Sequence, residues 1–207
     1  MSATSGDTGV IEIPGDLFDA PEDSALIHAC NVQGAWGAGI AQVFKQKYPA
    51  AYRYYRNHCQ TYRYGIMTHS ILNFQPGEST ITVRLPLGTA LVIPPQPGDC
   101  KGGRKRHWII CLFTSRSYGV RVDSPDMIIN STSAALKDLK SQVDSLRNDH
   151  QNGGSPAPGR LYSCRFNSGL FAVPWEETRG LVEDVGLDMT VVYPAEETVG
   201  NDEKEGL

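Results

Sequence analysis

Two stretches of this chain put glycines and small residues where a strand gives way to a helix, and both suit an anion. The first is Asn31-Val32-Gln33-Gly34-Ala35-Trp36-Gly37-Ala38-Gly39-Ile40-Ala41. Glycines at 37 and 39 clear side chains from the path of a phosphate, and the amides opening the next helix have no intrahelical partners. Taken alone, the stretch is equally a tight strand-to-helix turn. The second is Asn167-Ser168-Gly169-Leu170-Phe171-Ala172-Val173-Pro174, in the same setting. Two amide-rich turns above one sheet suit the two phosphates of a diphosphate, hence a dinucleotide-like ligand. Neither stretch ends in Gly-Lys-Ser/Thr and no G-x-G-x-x-G occurs, which disfavours ATPase and Rossmann readings. No Cys is followed by five residues and an Arg in a suitable glycine-rich turn, so a covalent phospho-enzyme is also disfavoured. Three side chains flank the loops. His28 is either a hydrogen-bonded strand residue or a general base able to activate water near neutrality. Asn31, a neutral amide at a strand end, can orient a hydroxyl or water without repelling phosphate. Asp16 follows Pro14-Gly15 and is either a turn residue or a ligand contact.

The elements that must position these groups are legible from periodicity. Val10–Ile13 alternates as a strand, and Ala25–Cys30 is a short apolar run suited to a buried one. A helix is expected from Ile40, and Pro49 opens another through about Gln60. Strands are expected over Ile66–Phe74, over Thr80–Leu85 with Ala90–Ile93, and over His107–Phe113. Ser124-Pro125 starts a long helix, with an N-cap and a first-turn proline, whose stripe is Ile128, Ile129, Thr132, Ala135, Leu136, Leu139, Val143 and Leu146. After a loop over 152–159 come a strand near Leu161–Arg165, a helix near Trp175–Val185 and a last strand Met189–Tyr193. Alternating strands and helices give an α/β domain with both sheet faces covered.

The 207 residues, 40% hydrophobic, suit one domain, expected over 10–194 between flexible ends at 1–9 and 195–207. The net charge of −4 leaves no broad footprint for duplex nucleic acid. The basic run Lys101–Arg106 reads as a solvated loop, and the tyrosines and arginines at 52–64 read as helix surface. Cys30, Cys59, Cys100, Cys111 and Cys164 form no C-x-x-C, which fits reduced thiols in the cytoplasm or nucleus. No leader or membrane span is expected. His58, His69, His107 and His150 share no ligand spacing, so neither a metal nor another cofactor is expected. A monomer is expected.

Three motifs taken in order resemble the macrodomain family: Ile13-Pro14-Gly15-Asp16-Leu17; Leu26-Ile27-His28-Ala29-Cys30-Asn31 with Trp36 through Ala41; and Asn167 through Trp175. Within that family the chain looks most like the fungal ADP-ribose 1''-phosphate phosphatases. The resemblance implies a three-layer α/β/α sandwich with a mixed central sheet and an ADP-ribose groove across its top. It implies that Asp16 accepts from the adenine amino group beside the backbone of Gly15 and Leu17. Asn31, following Ala29 and Cys30, would face the distal ribose. Trp36, Gly37, Ala38, Gly39, Ile40 and Ala41 would form the first phosphate loop. Asn167, Ser168, Gly169, Leu170, Phe171, Ala172 and Val173 would form the second, with Phe171 against the distal ribose. The implied reaction is hydrolysis of the terminal phosphate of ADP-ribose 1''-phosphate, a by-product of tRNA splicing. His28 and Asn31 are its catalytic candidates. Removal of ADP-ribose from proteins and binding without turnover are the alternatives. Where one branch carries an aspartate in the second loop, this chain reads Gly169-Leu170-Phe171, which argues against that branch's covalent mechanism. The stretches Pro95–Arg106 and Asn148–Gly159 look like insertions.

Overall fold

A computed structural model describes residues 9–64 and 86–195. It contains β1 (Val10–Pro14), β2 (Ala25–Asn31), α1 (Gly39–Lys47), α2 (Pro49–Tyr64), β3 (Ala90–Ile93), β4 (Trp108–Ser115), α3 (Pro125–Gln151), β5 (Leu161–Ser163), α4 (Trp175–Val185) and β6 (Met189–Tyr193). The six strands run in the order β1-β6-β5-β2-β4-β3. All neighbours are parallel except β3 against β4, so the sheet is mixed. The strands expected over Ile66–Phe74 and Thr80–Leu85 lie outside the described residues.

Side-chain alternation divides β2 and β4 between two cores. Leu26, Cys30, Ile109, Cys111 and Phe113 face α1 and α2 with Phe44, Tyr48 and Tyr55. Ala25, Ile27, Ile110 and Leu112 face α3 and α4 with Leu136, Leu139, Trp175 and Val182. This gives the expected three layers. Every residue of β4 is buried, which explains its uninterrupted apolar run.

Several local features differ from expectation. Ser124 sits at the N-cap of α3 without a side-chain bond, at φ −63 and ψ 154. The following proline favours that extended backbone. The same helix runs on to Gln151, so the stretch from Asn148 is helical before it becomes a loop. α2 extends past Gln60 to Tyr64, and β5 stops at Ser163. The 95–106 stretch is also more than a solvated loop. Asp99, 3% exposed, accepts from the amides of Ala50 (2.8 Å) and Ala51 (2.9 Å) and so caps α2 from a distance. Lys105 Nζ donates to the carbonyls of Asp19 and Ala20, and Arg106 pairs with Glu22 and Asp23. The basic run is thus partly committed to its own chain.

Candidate functional site

Because the strands are parallel, the turns after β2 and β5 emerge at the same end of the sheet, and these strands are neighbours. Both expected loops therefore stand side by side. A Cβ placed on Gly39 would lie 3.6 Å from Leu170 Cδ1, so the second loop reaches across the start of α1. Gly39 has φ +57, a left-handed backbone that favours glycine, whereas a Cβ on Gly37 or Gly169 would project into open space. The amides matter most. Among the described residues, those of 36–41 and of Gly169, Leu170 and Phe171 find no protein acceptor. Two sets of unpaired donors stand on neighbouring loops, an arrangement that suits an anion.

The first loop is held from below. Asn31, 5% exposed, accepts at Oδ1 from the amides of Gln33 (3.0 Å) and Ala35 (3.3 Å) and donates from Nδ2 to Ala35 O at 2.7 Å. Tyr55 Oη donates to the Asn31 carbonyl at 2.6 Å. The carboxamide folds the loop and retains one N–H. Trp36, expected to touch the ligand, is 1% exposed: its indole stacks on Tyr55 and donates to Cys30 Sγ at 3.3 Å. Only its backbone can serve the loop. Cys30 and Leu17 are likewise buried, and Ala29 is half-buried on strand β2.

His28 requires a correction. It is 0% exposed, stacked on Phe44 at 4.1 Å and edge-on to Trp36 at 4.8 Å, with Cys30 Sγ 3.5 Å from Nε2. A ring sealed between two aromatics offers no nitrogen to water above the loops. Its place on β2 sends its side chain under α1, so His28 forms the floor of the first loop and is not placed to act as the expected general base.

One grouping of donors escaped the linear spacing. His28, Cys30 and Cys111 place their ligating atoms within 4.8 Å of one another. Cys30 Sγ lies 3.5 and 3.7 Å from the two imidazole nitrogens. It meets the ring between them rather than along one lone pair, and it also receives the Trp36 N–H. This is a thiol–imidazole contact rather than an open coordination site. Burial opposes ionisation of Cys30, but the Cys111 thiol, His28 and the Trp36 N–H outweigh it and pull its thiol down, to about 6. Burial and Cys30 push Cys111 well up.

The second loop has its own support. Asn167 is 4% exposed with φ +68, and its carboxamide points inward to Thr114, Thr132 and Thr178 rather than to a ligand. Val173 is buried, Ala172 has φ +53, Phe171 is half-buried and Leu170 is 69% exposed. Beneath lies a network that sequence reading missed. Glu12 accepts from Trp175 Nε1 (3.0 Å), Arg165 Nε (3.0 Å) and Arg179 (2.9 Å). Burial would raise its carboxyl, but the bonds from Trp175 and Arg165 and the two guanidinium charges hold it below the usual carboxylate range. The only sequence signal was a lone glutamate alternating with apolar residues in β1.

After β1, Asp16 is exposed, with Oδ1 accepting from the Phe18 amide at 2.9 Å. The turn role of Asp16 holds, since one oxygen caps the short 3-10 turn Leu17–Asp19, and the carboxylate still faces solvent. Next to it, Tyr193 accepts at its carbonyl from the Gly15 amide, and the Arg165 guanidinium lies 4.5 Å over its ring. This flat pair was not anticipated, because the tyrosine ends the last strand far away in sequence.

Cys100 and Arg106 do have five residues between them, Gly102 and Gly103 included, but they form no phosphatase loop. The stretch leads into a strand, Arg106 is neutralised by Glu22 and Asp23, and Cys100 Sγ donates to Gln96 O. Burial and Asp99 push its thiol up, away from a nucleophile. Clefts of about 400 Å³ between α3 and α4 and about 1120 Å³ beside Trp108, Arg106 and Pro156 involve neither loop.

No protein-family model matches the chain. It is 48% identical to an ADP-ribose 1''-phosphate phosphatase of Aspergillus fumigatus over 94% of this chain and 98% of that one. It is 53% identical to a protein of the same name from Aspergillus clavatus over 90% and 95%. Among solved structures it resembles the macrodomain of Thermus aquaticus DarG, with TM-score 0.60 and 19% identity over 89% of this chain and 98% of that one. It also resembles Thermosipho africanus DarTG in complex with ADP-ribose, with TM-score 0.59 and 15% identity over 91% and 42%. The fold is therefore that of a macrodomain, and the chain belongs to the ADP-ribose 1''-phosphate phosphatase family.

Proposed function

We propose that this protein hydrolyses ADP-ribose 1''-phosphate to ADP-ribose and inorganic phosphate. The observation that carries the reading is the pair of facing loops whose amides at 36–41 and at Gly169, Leu170 and Phe171 have no protein acceptor. Those donors hold the diphosphate. Asp16 accepts from the adenine amino group near the Tyr193–Arg165 pair. Asn31 offers its remaining N–H to the distal ribose, and Phe171 lies against that sugar. A water oxygen forms the new bond to phosphorus, the bond from phosphorus to the 1'' oxygen breaks, and the sugar oxygen leaves as a hydroxyl with the proton from water. Donors fixed in advance stabilise the charge that develops on the phosphoryl oxygens.

One observation favours a second reading, ADP-ribose capture without turnover: His28, on the strand that leads into the first loop, is fully buried. Incubation with ADP-ribose 1''-phosphate and an assay for free phosphate separates the two. The five unpaired thiols fit a reducing compartment, the cytoplasm or nucleus, and a monomer is proposed.

A further inference from the structure

The second loop contains a residue whose side chain cannot reach the ligand yet whose bonds set the loop's shape. Asn167 adopts φ +68, a conformation that non-glycine residues rarely hold without support, and it is 4% exposed. Its support comes from three elements. Thr114 Oγ1, on β4, donates to Oδ1 at 3.0 Å. Nδ2 donates to Thr132 Oγ1, on α3, at 2.9 Å and approaches Thr178 Oγ1, on α4, at 3.5 Å. Thr132 gives its own proton to Ile128 O at 2.7 Å, so its oxygen has only lone pairs to offer and the orientation of the amide is fixed. All three threonines are 0% exposed. A carboxamide suits the place because it accepts on one side and donates on the other. The Asn167 carbonyl then receives the Val173 amide at 3.1 Å, closing the loop so that the three amides between Ser168 and Ala172 stay unpaired.

We infer that Asn167 is a positioning residue that holds the amides of Gly169, Leu170 and Phe171 in place for the ligand's phosphates through its ties to Thr114 and Thr132. The inference rests on the proposed ADP-ribose site and replaces the expectation that Asn167 is itself a contact.

Asn167→Gly removes the carboxamide without penalising the left-handed backbone, and Thr114→Val removes one partner at a site no ligand can touch. Three readouts are taken on the full chain after folding is verified: ADP-ribose affinity by calorimetry, amide hydrogen exchange of the Asn167–Val173 loop, and KM and kcat on ADP-ribose 1''-phosphate. Both variants should weaken ADP-ribose binding about tenfold, raise KM more than they lower kcat, and speed exchange at Ala172 and Val173 at least tenfold while the β2 and β4 amides stay protected. Thr114→Ser should restore wild-type values, and Thr114→Val should add little in the Asn167→Gly background. Loss of binding in Asn167→Gly with none in Thr114→Val would make Asn167 a direct contact and overturn the inference. So would unchanged exchange in both. Wild-type protein that binds ADP-ribose but releases no phosphate would overturn the phosphatase reading alone, and the exchange readout decides the role of Asn167 whether or not ligand binds.

Discussion

Replacing His28 separates a structural floor from a catalytic base, and the structure predicts how each variant behaves. His28→Ala removes a ring that stacks on Phe44 at 4.1 Å, meets Trp36 at 4.8 Å and touches Cys30, all within a site that is 0% exposed. Large-to-small changes at such positions cost roughly 2–5 kcal/mol, and each aromatic pair contributes about 0.5–1.5 kcal/mol of its own. We expect a loss of about 3 kcal/mol. At about 2–4 °C per kcal/mol for a chain of this length, Tm falls by roughly 6–12 °C. His28→Phe keeps the stack on Phe44 and adds a little volume, for a penalty of about 1 kcal/mol. It abolishes any proton transfer. A general base contributes about 10²–10⁴-fold to turnover, whereas a floor contributes only through loop geometry. The assay is phosphate release from ADP-ribose 1''-phosphate across pH, with thermal melts monitored by circular dichroism. His28→Phe should keep kcat within about threefold of wild type, since no proton passes through it. A folded His28→Phe protein that loses 100-fold or more in turnover, together with the wild-type pH profile, would refute the reasoning and restore His28 as the base.

Gly39→Val should cost about 1–2 kcal/mol of stability, because its φ of +57 disfavours a β-branched residue, while ligand loss should be larger. A Cβ there meets only Leu170 at 3.6 Å, so calorimetry on the folded variant should show ADP-ribose binding weakened tenfold or more; normal affinity would reduce the loop to a turn. Asp16→Ala should weaken ADP-ribose binding by about 1–2 kcal/mol, the scale of one hydrogen bond, and unchanged calorimetry would remove it from the site. Glu12 links stability to pH. A carboxyl held below its unfolded value contributes stability above the ordinary carboxylate range and loses it as pH falls through the lower folded value. Acid titration should therefore destabilise wild type more than Glu12→Gln, and equal slopes would show the network to be idle.

Much of the fold was legible because periodicity and punctuation agreed. Trp175–Val185 and Met189–Tyr193 match their expected bounds, and the α3 stripe buries Ile128, Thr132, Ala135, Leu136, Leu139 and Val143. Both loops were readable from their glycines and strand-to-helix setting, because backbone amides need only conformation and not partners. Orientation was not readable. His28, Trp36 and Asn167 sit in or beside the motifs that mark the site, yet β2's alternation turns His28 beneath α1 and the threonines draw Asn167 inward. The partners of Asn167 at Thr114 and Thr132 lie far away in sequence, as do those of Glu12 at Arg165, Trp175 and Arg179 and those of Asp99 at Ala50 and Ala51. Proximity to a motif told which residues gather at the site, and only packing told which way they face.

Hydrolysis by this protein is read out by incubating the purified chain with ADP-ribose 1''-phosphate in the presence of a chelator and measuring inorganic phosphate and ADP-ribose together. The two should be released in equal amounts, in a reaction saturable in substrate, inhibited by added ADP-ribose and lowered by Gly39→Val. Tight ADP-ribose binding with no phosphate released would contradict hydrolysis and leave a binding module.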